Sequence, residues 1–152
     1  MKRDDLALLL LRMAGLGLAL HGLPKLLALA AGQTGFVQGV AKLGFPVPIA
    51  FAWAAALGEC VGGMLVALGL FARVAAGVAG FTMVVAAFLG HHAHGHLLHA
   101  LRIRRVSEET LKAWGNPEMA LLYLSAMAAV ALMGAGALSL DALRGGKGRG
   151  KR

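Results

Sequence analysis

Four long apolar runs divide the chain, over residues 6–31, 49–71, 74–94 and 119–140, and the polar and charged residues gather between and beyond them. A bilayer hydrocarbon core of ~30 Å is crossed by ~20 helical residues, and each run is long enough for that. The pattern predicts an all-α integral membrane four-helix bundle over residues 1–143, followed by a disordered basic tail over 144–152. The first run is too long for a signal peptide and lacks a small-x-small cleavage site ahead of a polar mature chain.

The connections differ in kind. Residues 32–48 are half apolar and end in Pro46 and Pro48, which predicts a short interfacial or re-entrant segment and then a turn into the second span. Only Phe71, Ala72 and Arg73 join the second span to the third. Residues 95–117 are polar and basic. There, Ser107-Glu108-Glu109-Thr110 predicts a short surface helix, and Asn116-Pro117-Glu118 predicts a helix start with Asn116 capping.

Composition sharpens this picture. The apolar fraction is 59% and the charged fraction 14%, against about 25% charged in ordinary soluble domains. A soluble fold of this length could not cover its surface with so little charge. The 22 glycines lie mostly inside the spans, where small residues let helices approach closely. The net charge of +8 comes from Lys and Arg at the ends of apolar runs and in the tail, G-G-K-G-R-G-K-R, where they face anionic headgroups. Aromatic residues are few and are not interleaved with Arg, so nucleic acid is not an expected partner; the lipid bilayer is. Cys60 is the one cysteine, which excludes a dithiol mechanism within one chain. Basic residues at both ends favour cytoplasmic termini, although Arg102, Arg104, Arg105 and Lys112 in the third loop pull the other way.

Ionisable side chains in mid-membrane are costly, by ~2.5–3.5 kcal/mol on insertion scales, and therefore invite a reason. Arg12, His21, Lys25, Glu59 and His91 are such residues. Glu59 is the acid well inside a span, and Arg12, His21 and Lys25 are its candidate partners. His21 and Lys25 are four apart, on one helix face, with Pro24 between them freeing the carbonyl of Leu20. Two readings of Glu59 stand: a buried ion pair that fixes helix register, or a carboxylate that handles protons or anchors a ligand in a cavity. The histidines of H-H-A-H-G-H-L-L-H end the third span. His92, His96 and His99 have the spacing of a one-face metal site, but no acid or thiol completes a coordination set, so an interfacial polar cap is the expectation and no metal is assigned. His91, the deepest, is placed to line a cavity with Glu59.

These residues also carry a resemblance. R-M-A-G-L-G-L-A-L-H-G-L-P-K-L-L, with Arg12, His21, Gly22 and Lys25, resembles the opening of the DoxX family, and so does L-G-F-P-V-P before the second span. G-E-C-V-G-G-M-L-V-A-L-G-L-F-A-R, with Glu59, Gly63, Gly69 and Arg73, resembles its second span. The stretch to His91 and Gly95 looks like its third span, and E-M-A-L-L-Y-L-S with G-A-G-A-L-S-L-D-A-L like its fourth and its ending. The His-rich stretch beyond His91 and the basic tail depart from the family pattern.

The resemblance implies a four-span protein of the cell (inner) membrane, associated with quinone-coupled redox chemistry. It points to a quinone, or another small lipophilic molecule, held between the helices. Glu59 and His91 would then be the catalytic, proton-exchanging pair, and Arg12, His21 and Lys25, with both of these, the ligand-binding set. The chain shows no haem-ligand pattern, flavin motif or iron–sulfur cysteines. Electrons would therefore pass only through the quinone or a redox partner subunit. The rival readings are a non-enzymatic subunit, scaffold or chaperone, and an oligomeric carrier of small molecules or protons.

Overall fold

The computed structural model describes residues 3–146 and is helical throughout, with no strand among the described residues. Helix α1 is Arg3–Ala30, and α2, Gly35–Lys42, is the short element expected between the first two spans. The second span runs as α3, Pro48–Leu57, a π-helical turn at Gly58–Gly62, and α4, Gly63–Leu68. The third is α5, Ala72–Val85, with a second π-helical turn at Ala86–Gly90. Then follow α6, Ala93–Ala100; α7, Glu108–Trp114; α8, Glu118–Met133; and α9, Leu140–Gly146.

Three of these units are long and apolar enough to cross a membrane: Arg3–Ala30, Pro48–Leu68 and Ala72–Gly90. A fourth joins them when α7 and α8, bent by 46° at their junction, are taken as one. The protein is thus an all-α, multi-pass membrane bundle. Its surface bears this out physically. Leu10, Leu27, Val74, Phe81 and Leu132 all point outward, each at least 60% exposed, as side chains do that face lipid tails. The interior is built mainly of alanine, including Ala52, Ala56, Ala76, Ala79 and Ala126.

Small residues in the core allow close helix approach. A Cβ placed on Gly15 would lie 2.6 Å from the carbonyl oxygen of Gly63, and one on Gly63 the same distance from that of Gly15. Helix α1 therefore rests directly on the backbone of α4. A Cβ on Gly22 would lie 2.7 Å from the amide nitrogen of Cys60, so the same contact continues along the first π turn. Helices α5 and α8 pack on each other over the other half of the core.

Two expected spans end early. The third was expected to reach residue 94, but its helix stops at Gly90, and the left-handed backbone of His92, at φ 48, separates it from α6. The fourth was expected to reach 140, but α8 stops at Met133. Gly134 and Gly136, at φ 87 and 74, take conformations that L side chains rarely adopt, and they break the helix. Residues 144–146 of the expected tail complete α9, and 147–152 lie outside the described residues. The surface-helix and capping signals are where they were read. Ser107 Oγ accepts the Thr110 N–H at the start of α7, and Asn116 Oδ1 accepts the Glu118 N–H at the start of α8.

Candidate functional site

The first π turn carries Glu59 into the bundle. An extra residue in a helical turn rotates the side chains around it, and such turns are rare and frequently found at functional sites. Glu59 is 2% exposed. Its carboxylate accepts from Lys25 Nζ of α1, at 2.6 Å to Oε2 and 2.9 Å to Oε1. Gly22, one turn before Lys25, brings the two backbones close enough for that reach. The Lys25 side chain remains 25% exposed, and its ammonium sits 5.3 Å from the centroid of the Phe36 ring on α2.

The second π turn delivers His91. Its Nδ1 lies 3.1 Å from the carbonyl oxygen of Trp114, at the end of α7. A carbonyl only accepts, so Nδ1 carries the hydrogen and Nε2 of the neutral ring is an acceptor. Each of the two residues expected to exchange protons thus depends on a π turn for its position.

Lys25, Glu59 and His91 line one cavity, of about 650 Å³, within the ~300–1,000 Å³ of ordinary ligand sites. The rest of the wall is apolar: Phe36, Val40 and Phe45 from α2 and the loop after it, Phe51 and Ala55 from α3, and Val78, Phe81 and Val85 from α5. Phe45 and Phe51 stack with centroids 4.3 Å apart. The outward exposure of Phe51, Val78 and Phe81 puts the side opening among lipid tails, between α3 and α5.

The other two members of the expected set are elsewhere. His21 is exposed on the outer face of α1 and is not part of the cavity wall. Arg12 is 1% exposed, but it is 13 residues before Lys25, about 20 Å along a helix, at the opposite end of the bundle. There its Nη2 donates to the carbonyl of Leu138, while Nε and Nη1 are buried without a partner among the described residues. It packs over Gly69, where a Cβ would collide with the guanidinium. The same end is tied by Asp141, whose carboxylate accepts the amides of Phe71 and Ala72 at 2.8 and 2.9 Å, and by Asp5, which accepts that of Ala137 at 3.0 Å.

The histidine run does not converge. His92 and His96 both pack against the Trp114 indole, with ring centroids 4.9 and 5.7 Å away. His99 Nδ1 accepts the Val106 N–H at 3.1 Å. No cluster of three metal-ligating side chains occurs among the described residues.

Sequence reasoning missed the phenylalanine wall and the carbonyl of Trp114. The half-apolar stretch before Pro46 signalled the short helix that carries part of the wall, but not which way its apolar face would turn. The DoxX family model matches residues 7–92, which takes in α1 through the second π turn, with Lys25, Glu59 and His91. No curated protein and no solved structure matches the chain.

Proposed function

The chain belongs to the DoxX family, and from that membership we propose that it is a redox-associated membrane protein that binds a quinone, or a similarly small lipophilic molecule, in the cavity over Lys25 and Glu59. The observation that carries this reading is the union of a lipid-side apolar cavity with three titratable groups at its polar end. Lipophilic molecules dissolved in the bilayer reach such an opening without crossing water. Glu59 and His91 have the chemistry to take up and release protons as a bound ring changes oxidation state, and Lys25 to hold a head-group oxygen. Oxidation itself needs an external donor or acceptor, which assigns the chain a partner subunit rather than an independent reaction. On this reading it resides in the inner cell membrane with both termini in the cytoplasm.

Quinone binding to the purified protein in lipid nanodiscs tests the reading, with wild type compared with Glu59→Gln. Saturable binding that weakens at least several-fold in the variant supports it. Absence of saturable binding in both forms overturns it.

A second reading has its own observation. The Lys25–Glu59 pair joins α1 to the second span and would by itself fix their register, as a scaffold or chaperone subunit requires. In that case neutralising both residues together leaves function intact.

A further inference from the structure

The hydrogen-bonding inventory of the cavity is lopsided. His91 Nδ1 donates to the Trp114 carbonyl, so its Nε2 is an acceptor, and it has no hydrogen-bond partner among the described residues. Thr82 lines the same cavity and has already given its hydroxyl hydrogen to the carbonyl of Ala79, at 2.7 Å, which leaves oxygen lone pairs. Glu59 is an acceptor, with both oxygens on Lys25. Among the described side chains that line the cavity, the one donor left is what remains of the Lys25 ammonium after two carboxylate contacts. The charges of Lys25 and Glu59 cancel, so the polar end as a whole is neutral.

We infer that this cavity takes a neutral, ring-bearing amphiphile whose head group carries a hydroxyl hydrogen, as a phenol or hydroquinone does, in preference to the same ring with its oxygen capped or fully oxidised. The inference rests on the small-molecule reading above and narrows it to a ligand class. An incoming hydroxyl donates to His91 Nε2 or Thr82 Oγ1, and its oxygen accepts from Lys25. A head group without that hydrogen leaves both half-buried acceptors without a donor from the ligand, and unpaired polar groups of this kind are what let a site reject an analogue lacking a hydroxyl. An anionic head such as a fatty carboxylate adds a second negative charge beside Glu59 and has no hydrogen for His91. The ring itself is accommodated by the faces and edges of Phe36, Phe45, Phe51 and Phe81.

The test is equilibrium dialysis against the full chain in nanodiscs, with empty nanodiscs as the partition blank. The probes are 4-heptylphenol, its methyl ether, nonanoate and a short-chain benzoquinone. The phenol is expected to bind at least tenfold more tightly than its methyl ether and more tightly than nonanoate or the quinone. Thr82→Val, isosteric and away from the ion pair, and His91→Phe are each expected to reduce the preference for phenol over ether by threefold or more. Ether binding equal to phenol binding, or nonanoate or the quinone binding more tightly than the phenol, overturns the hydroxyl-donor inference and leaves the cavity reading intact. Absence of saturable binding by all four probes overturns both. The wild-type comparison alone decides the matter if a variant fails to fold.

Discussion

Lys25 Nζ and the Glu59 carboxylate meet at 2.6 and 2.9 Å across 34 residues of sequence, and the contact is asymmetric: the lysine side chain keeps a quarter of its surface open, whereas the glutamate keeps 3%. That asymmetry decides which partner the fold misses more. Removing Glu59 leaves a lysine that can lean toward the cavity and the Phe36 ring. Removing Lys25 strands a carboxylate inside the bundle.

Lys25→Met is therefore expected to lower stability by about 2–3 kcal/mol, below most of the ~3–5 kcal/mol seen when a fully buried pair loses one member, because this pair is not fully enclosed. Glu59→Leu is expected to cost less. The double variant is expected to recover most of the loss, since matched apolar replacements of buried pairs are often neutral. Thermal unfolding of the four proteins in one detergent checks the order; Glu59→Leu falling below Lys25→Met would reverse the account of which group the fold holds more tightly.

Gly15 and Gly63 face each other backbone to backbone. A methyl on either meets a carbonyl oxygen at 2.6 Å, and that oxygen belongs to main chain and cannot swing aside. Gly15→Ala and Gly63→Ala are each expected to cost about 1–3 kcal/mol, as overpacked cores do. Gly77→Ala is the control: nothing lies within 4 Å of its added methyl, and helix propensity favours Ala by ~1 kcal/mol. The melting temperature should fall for the first two and hold or rise for the third.

The spans and the Lys25–Glu59 candidate were legible because hydropathy and the cost of charge in lipid act locally along the chain. Grouping Arg12 with that pair was an error that helix geometry alone exposes, since 13 residues of helix put about 20 Å between Arg12 and Lys25. His21 shows the limit of that arithmetic. Its four-residue spacing from Lys25 leaves it about 40° away around the helix, and the kink and packing that settle such an angle are tertiary. The π turns at Gly58–Gly62 and Ala86–Gly90 had no sequence signature. They differ from α-helix by one hydrogen-bond register, and neighbouring helices choose between the two. The early stop of α8 did have one, in Gly134-Ala135-Gly136, but the same letters also suit a close helix contact.

Asp141 closes the opposite end by accepting the first amides of α5, from a helix nearly seventy residues away. Asp141→Ala leaves both amides without that acceptor and is expected to cost about 1–2 kcal/mol, the range for a lost helix cap. It should also loosen α9, because the reciprocal bond from the Asp141 amide to the Gly69 carbonyl loses its support. Limited proteolysis after Arg144 should quicken in Asp141→Ala relative to wild type, while ligand binding at the distant cavity stays unchanged. Weakened binding instead would mean that the two ends of the bundle are coupled.

Gly77 and Gly39 offer the cleanest way to separate the cavity from the fold. Both line it, from α5 and α2, and a Cβ on either meets nothing within 4 Å. A leucine at these positions replaces a poor helix former with a good one and puts its side chain into space that a ligand would occupy. Gly77→Leu and Gly39→Leu are expected to fold at wild-type stability or better and to reduce ligand binding at least tenfold, without touching Lys25, Glu59 or His91. The measurement is paired: a thermal melt and a binding isotherm on the same nanodisc preparation. A variant that melts normally and binds normally would place the ligand outside this cavity, whatever the chemistry of its polar end.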